Sequence, residues 1–108
     1  ELLNVERPEL VRALHDAWLA VGCDAITTNS FCADAPSLAR RGIARRSVEL
    51  GRAAARLARE RADLAAADGR ARFVLGSLGP GWTLPARDGG DDDKLERAYA
   101  QLARALVD

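Results

Sequence analysis

The chain has 108 residues, 48% hydrophobic and 30% charged, a composition that suits one small globular domain and not a disordered segment. Lys and Arg number 16 and so do Asp and Glu, and a net charge of zero speaks against nucleic acid or an anionic membrane as partner. No apolar run is long enough to cross a bilayer, no basic region leads an apolar core at the N-terminus, and two cysteines make no disulfide framework, so a reduced, cytoplasmic setting is expected.

Methionine is absent throughout, even at position 1, which suggests an excerpt from a longer protein. Glu1 to Arg7 is polar entry. Pro8 suits the first turn of a helix, where its missing N–H costs nothing. Leu10, Val11, Leu14, Trp18 and Val21 follow at helical spacing and are the expected inner stripe, with Gly22 as C-cap. His15, mid-helix, reads as a surface or boundary residue. A first strand is expected over Asp24 to Thr28, with Cys23 beside its start. Asn29 to Ala35 is a loop. Asp34 is a candidate N-cap, and Pro36 stands just inside a short helix that Gly42 stops.

A longer helix is predicted from Ile43 to Ala66, with Ile43, Leu50, Ala54, Leu57, Ala58 and Ala65 on its inner face. Its outer face pairs Arg45 with Glu49, Arg56 with Glu60 and Arg59 with Asp63, each pair worth about 0.2–0.5 kcal/mol. Interleaved acids make that face a solvated one and not a basic binding surface. Asp68-Gly69-Arg70 turns the chain into a second strand, Phe73 to Leu75, which breaks into Gly76-Ser77-Leu78-Gly79-Pro80-Gly81. Trp82 to Gly90 is irregular. Asp91-Asp92-Asp93 then opens a helix, where carboxylates suit the positive end of the dipole; three adjacent acids on a helix do not all face one metal ion. Leu95, Tyr99, Leu102 and Leu106 are its expected inner stripe.

The inventory is α/β: a βαβ unit whose strands, if parallel, are left with open edges. Such a unit is usually a slice of a larger sheet. A (β/α)8 barrel takes eight strands and about 250 residues, so the two strands of this chain supply about a quarter of its sheet. Parallel strands bring their C-terminal ends to one edge, where Thr28, Asn29, Ser30 and Phe31 would meet Ser77 to Gly81. Hydroxyls, an amide and exposed backbone N–H groups suit the carboxylate and amine of an amino acid. Equally, Asn29 and Ser77 could only satisfy turn backbone. No catalytic constellation lies within the chain: Cys32 is on the favoured edge but has no His partner nearby, and Cys23 is on the other. The glycine cluster lacks the Lys-Ser/Thr of a P-loop.

At these two strand ends the sequence resembles the homocysteine-binding module of the homocysteine S-methyltransferase family, in particular that of cobalamin-dependent methionine synthase. Val74-Leu75-Gly76-Ser77-Leu78-Gly79-Pro80-Gly81, followed by Leu84-Pro85, is similar to the family's third-strand motif. Ala20 to Phe31 is similar to its Ala-Gly-Ala-Asp pattern, an apolar pair, and Glu-Thr-Asn-Thr-Phe. Leu3-Asn4, Arg7-Pro8-Glu9, Leu14-His15 and Ala53 to Arg59 fit in the same order. The resemblance implies that residues 1–108 are a partial barrel domain holding the second and third strands of a (β/α)8 barrel. It implies methyl transfer to the homocysteine thiolate, giving methionine, in an enzyme of which this piece alone is inactive. It further implies a zinc ion on three cysteine thiolates that lie outside this segment, cobalamin in the parent, and a methyl donor presented by other modules. Thr28, Asn29, Phe31, Ser77 and Gly79 are the positions it carries over, as substrate-binding walls and not as catalysts. Thr27 stands where the family has Glu, and Arg87 to Asp93 replaces a more apolar loop. The alternatives are a non-catalytic α/β binding module, a relative using betaine or S-methylmethionine, and a degenerate member.

Overall fold

The computed structural model describes residues 1–80 and 91–107. Pro8 opens helix α2 (Pro8–Ala20) directly after a one-turn helix α1 (Leu3–Glu6), and Gly22, at φ 94°, takes the left-handed turn that ends it. Strand β1 (Ala25–Thr27), the short helix α3 (Ala35–Ala39), the long helix α4 (Ser47–Ala65), strand β2 (Phe73–Leu75) and helix α5 (Asp92–Val107) follow. The Asp34 carboxylate accepts the Ser37 N–H at 2.8 Å, so the expected N-cap of α3 is in place. Asp91 likewise accepts the Lys94 N–H at 3.2 Å, which makes capping the observed work of the acidic run. The expected irregular stretch Trp82 to Gly90, with Gly81 and Leu84-Pro85, lies outside the described residues.

The strands pair in parallel, Ala25 with Phe73, Ile26 with Val74 and Thr27 with Leu75. Asp24 O and Thr28 N add a hydrogen bond at each end of the ladder, so the pairing spans the strand expected at Asp24 to Thr28. Alternation then divides the sheet. Ile26 packs with Leu19 of α2 and Ala58 and Ala62 of α4, with Val74 alongside. Phe73 and Leu75 point the other way and are 59% and 54% exposed. Among the described residues the sheet is covered on one face only, and a parallel sheet is ordinarily covered on both.

Leu50, Ala54, Leu57 and Ala58 are buried on α4 as expected; Ala65 is half-buried. Ile43 is not part of the helix, because a 3-10 turn, Ala44–Arg46, intervenes before Ser47. Helix α5 lies against α4 at Gly51, where an added Cβ would stand 2.8 Å from Leu102 Cδ1 and 3.3 Å from Ala105 Cβ. Of the expected α5 stripe, Leu102 is buried and Leu95, Tyr99 and Leu106 are half-buried.

Three expectations are corrected. The buried stripe of α2 is Val11, His15 and Leu19, whereas Leu10, Leu14, Trp18 and Val21 are 46–75% exposed. One residue turns a helix by about 100°, so the expected stripe lies one position round, along the free edge of β1, and the true one faces α4. His15 is accordingly a core residue, and its buried Nε2 has no hydrogen-bond partner among the described residues. The charge pairs also shift. Arg59–Asp63 forms at 2.7 Å, but Glu49 takes Arg46, three residues before it, at 2.8 Å and not Arg45. Glu60 takes Arg12 of α2 at 3.0 Å, a contact between helices that the spacing within α4 does not reveal.

Burial lowers the His15 pKa below its ordinary 6.5, against the opposing pull of Asp16. The unfolded chain therefore takes up a proton, as pH falls, before the folded chain does. The stability held by neutral His15 is fully present above about 6.5 and is lost as pH falls below it. Denaturation midpoints measured between pH 7 and pH 5 should fall with pH in the native sequence, and less steeply in His15→Leu. The open edges carry a second expectation. The 108-residue chain alone should elute from a sizing column as an associated or poorly structured species. A sharp monomer with slowly exchanging Ile26 and Val74 amides would contradict this.

Candidate functional site

Because β1 and β2 are parallel, Thr28 and Gly76 leave them at the same edge. What holds the two exits together is a closed ring of hydrogen bonds. Ser77 N–H donates to Thr28 Oγ1 at 2.9 Å, and Ser30 Oγ donates to Ser77 O at 2.7 Å. A hydroxyl has one proton, and that of Ser30 is committed, so the 2.6 Å contact between Thr28 Oγ1 and Ser30 Oγ has Thr28 as donor. Thr28 and Ser30 are 4% and 0% exposed. Thr28 is thus a clasp whose proton is spent, and Ser30 is an equal member of that clasp. Replacing Thr28 by Val strands the Ser77 N–H and takes the donor away from Ser30 Oγ, and should cost about 1–3 kcal/mol, read from chemical denaturation.

Asn29 is held from behind. Its Nδ2 donates to Asn4 Oδ1 at 3.0 Å, and its backbone oxygen accepts from Asn4 Nδ2 at 2.8 Å. Phe31, 54% exposed, lies against Gly79: the Gly79 N–H donates to Phe31 O at 2.9 Å, and an added Cβ would meet Phe31 O at 2.4 Å. The φ of Gly79 is not positive, so glycine is needed there for space and not for backbone freedom. Tyr99 OH donates to Gly79 O at 2.6 Å, and burial raises the phenol pKa, keeping it a neutral donor.

A groove of ≈ 400 Å³ runs along the free edge of β1, with Leu14 and Trp18 on one wall and Thr28, Asn29, Phe31 and Ser77 at its polar end. Four of the five expected site residues therefore meet there, and Gly79 stands behind Phe31. Ser30, expected at this edge but not among the substrate-binding walls, and Asn4, expected only as part of a motif, are the added members, and only their hydrogen-bond partners reveal what they do. Cys23 lies at the start of β1 and Cys32 past its end; both are free and half-buried. Among the described residues no three His, Cys, Asp or Glu side chains converge on a point a metal could occupy, so they do not fit a thiolate zinc site. Among them, too, no helix is long and apolar enough to cross a membrane.

The sequence profile of the homocysteine S-methyltransferase family matches residues 1–108, the whole chain. The chain belongs to that family. It is 33% identical to the methionine synthase of Mycobacterium tuberculosis and 31% identical to that of Mycobacterium leprae, across all of its own length and 9% of each of theirs. The fold of the homocysteine methyltransferase MmuM from Escherichia coli is similar in its metallated form (TM-score 0.80, 24% identity) and its oxidised form (0.79, 23%). Either likeness covers 97% of this chain and 40% of that structure, and it shows a shared α/β arrangement with two parallel strands. In this homocysteine S-methyltransferase segment Thr27 is exposed on the open face of the sheet, next to the ring.

Proposed function

We propose that the chain forms one wall of a homocysteine site in a methionine synthase-type methyltransferase. The observation that carries the reading is the family match over the whole chain, with Asn29, Phe31 and Ser77 at the end of one groove. Asn29 Oδ1 and Ser77 Oγ have no protein partner among the described residues and suit the polar end of an amino acid, and the Phe31 ring suits its methylenes. In the reaction the homocysteine sulfur forms a bond to the methyl carbon, the bond from that carbon to the donor breaks with its electron pair left on the donor, and the thiol proton is lost. Thr28, Asn29, Phe31, Ser77 and Gly79 bind and shape; none of them reacts.

The two strands are proposed as the second and third of a (β/α)8 barrel. The uncovered Phe73 and Leu75 support this, since inward residues of a barrel pack in layers that several strands supply. Residues 1–108 would then be part of a single barrel domain, with zinc held by thiolates outside the chain and methylcobalamin in another module as donor. The test is methionine formation by the full-length protein supplied with homocysteine and, separately, methylcobalamin, S-methylmethionine or betaine. Methionine from methylcobalamin is the expected result. Methionine from another donor alone moves the protein to that branch of the family, and no methionine with any donor, together with no homocysteine binding, overturns the reading.

A further inference from the structure

Asn4 is 2% exposed, yet it sits in a helix of a single turn at the edge of the fold. Its amide is oriented by groups that leave no choice. Asn4 Nδ2 faces two backbone carbonyl oxygens, that of Asn29 at 2.8 Å and that of Leu50 at 3.3 Å. Carbonyl oxygens only accept, so the nitrogen of the amide must face them and Asn4 Oδ1 must point away. The Asn29 atom that meets Asn4 Oδ1 at 3.0 Å is then necessarily a donor, Nδ2. That fixes the second amide in turn: Asn29 Oδ1 is the end left over, in a half-buried residue that lines the groove, and no donor among the described residues reaches it.

We propose that Asn4 is a positioning residue that sets the polarity of the Asn29 amide, so that the polar end of the groove offers a hydrogen-bond acceptor and selects an amino-acid ligand by its ammonium group. The inference rests on the homocysteine reading and deepens it. Two backbone carbonyls thus dictate, through two side-chain amides in series, which charge the groove prefers. Were Asn4 an apolar residue, the Asn29 amide would turn freely and present its NH₂ as readily as its oxygen.

The test is a pair of ligands on the full-length protein by titration calorimetry: homocysteine, and 4-mercaptobutanoate, which keeps the thiol and the carboxylate and lacks the ammonium. The native protein should prefer homocysteine by about tenfold or more, the effect of one hydrogen bond to a charged group. Asn4→Leu should bring the two affinities to within about threefold of each other, chiefly by weakening homocysteine. Asn29→Leu removes the acceptor itself, leaves Asn4 and α1 in place, and should do the same, which keeps the test decisive if Asn4→Leu fails to fold. Equal loss of both ligands in the variants would make Asn4 merely structural and overturn the proposal. So would equal affinities in the native protein, with the homocysteine reading left standing. A native protein that binds neither ligand would overturn both.

Discussion

Replacing Gly79 by valine should destabilise the domain by about 3 kcal/mol, at the upper end of what overpacking costs, and should weaken homocysteine binding as well. The reason is the nature of the obstacle. A Cβ at position 79 stands 2.4 Å from Phe31 O and 2.9 Å from two carbons of the Phe31 ring. The first is backbone, locked by the Gly79 N–H···O bond, and it does not swing aside as a side-chain tip would. Relief requires the loop after β1 and the loop after β2 to part, which breaks that bond and stretches the Thr28–Ser30–Ser77 ring beside it. Phe31 then leaves its place in the groove wall. Denaturation of the domain that carries this chain measures the first effect and homocysteine titration the second. Unchanged stability and affinity in Gly79→Val would mean that the two loops are not held together as described.

Leu102→Ala should cost about 2–5 kcal/mol, the range for a fully buried leucine whose site does not collapse. Leu102 is 0% exposed and its Cδ1 occupies the space directly over Gly51. Nothing on α4 reaches into that space, because position 51 has no side chain. The cavity therefore stays open unless α5 moves. A companion substitution makes the argument specific. In the native chain Gly51→Ala collides with Leu102 Cδ1, but in the Leu102→Ala background the new methyl enters the vacated volume. The double variant should be more stable than the sum of the two single effects requires, with a coupling of about 0.5–3 kcal/mol. Additive losses would show that the α4–α5 contact does not run through this pair.

The strands were legible because their chemistry changes abruptly. Ala25-Ile26-Thr27 and Phe73-Val74-Leu75 are β-favouring runs that end in Asn-Ser and in glycine, and each pairs where it was expected. The inner face of α4 was legible for a similar reason: leucine and alanine recur at helical spacing against charged neighbours. Helix α2 was not, since it carries apolar residues on two adjacent stripes. The one that the fold buries includes a histidine, and spacing alone favours the stripe of leucines and Trp18. Burial there is decided by where α4 lies, which is tertiary information. At the site, residue types could be read but not their commitments. Thr28 and Ser77 read as ligand-facing hydroxyl groups; only the structure shows that the Thr28 proton and the Ser77 backbone are consumed in a ring, which leaves Ser77 Oγ and Asn29 Oδ1 to the groove. Asn4 was legible only as part of a motif, because its role depends wholly on two carbonyls 25 and 46 residues away.

The central claim is that the polar end of the β1 groove receives the amino-acid end of homocysteine. The most direct test is a crystal structure of the full-length protein with homocysteine bound. The ammonium should lie within hydrogen-bond reach, about 2.7–3.2 Å, of Asn29 Oδ1, with Ser77 Oγ beside the ligand and the Phe31 ring against its methylenes. Homocysteine seated at the opposite end of the strands beside Asp24 and Arg72, or away from β1 and β2 altogether, would contradict the account.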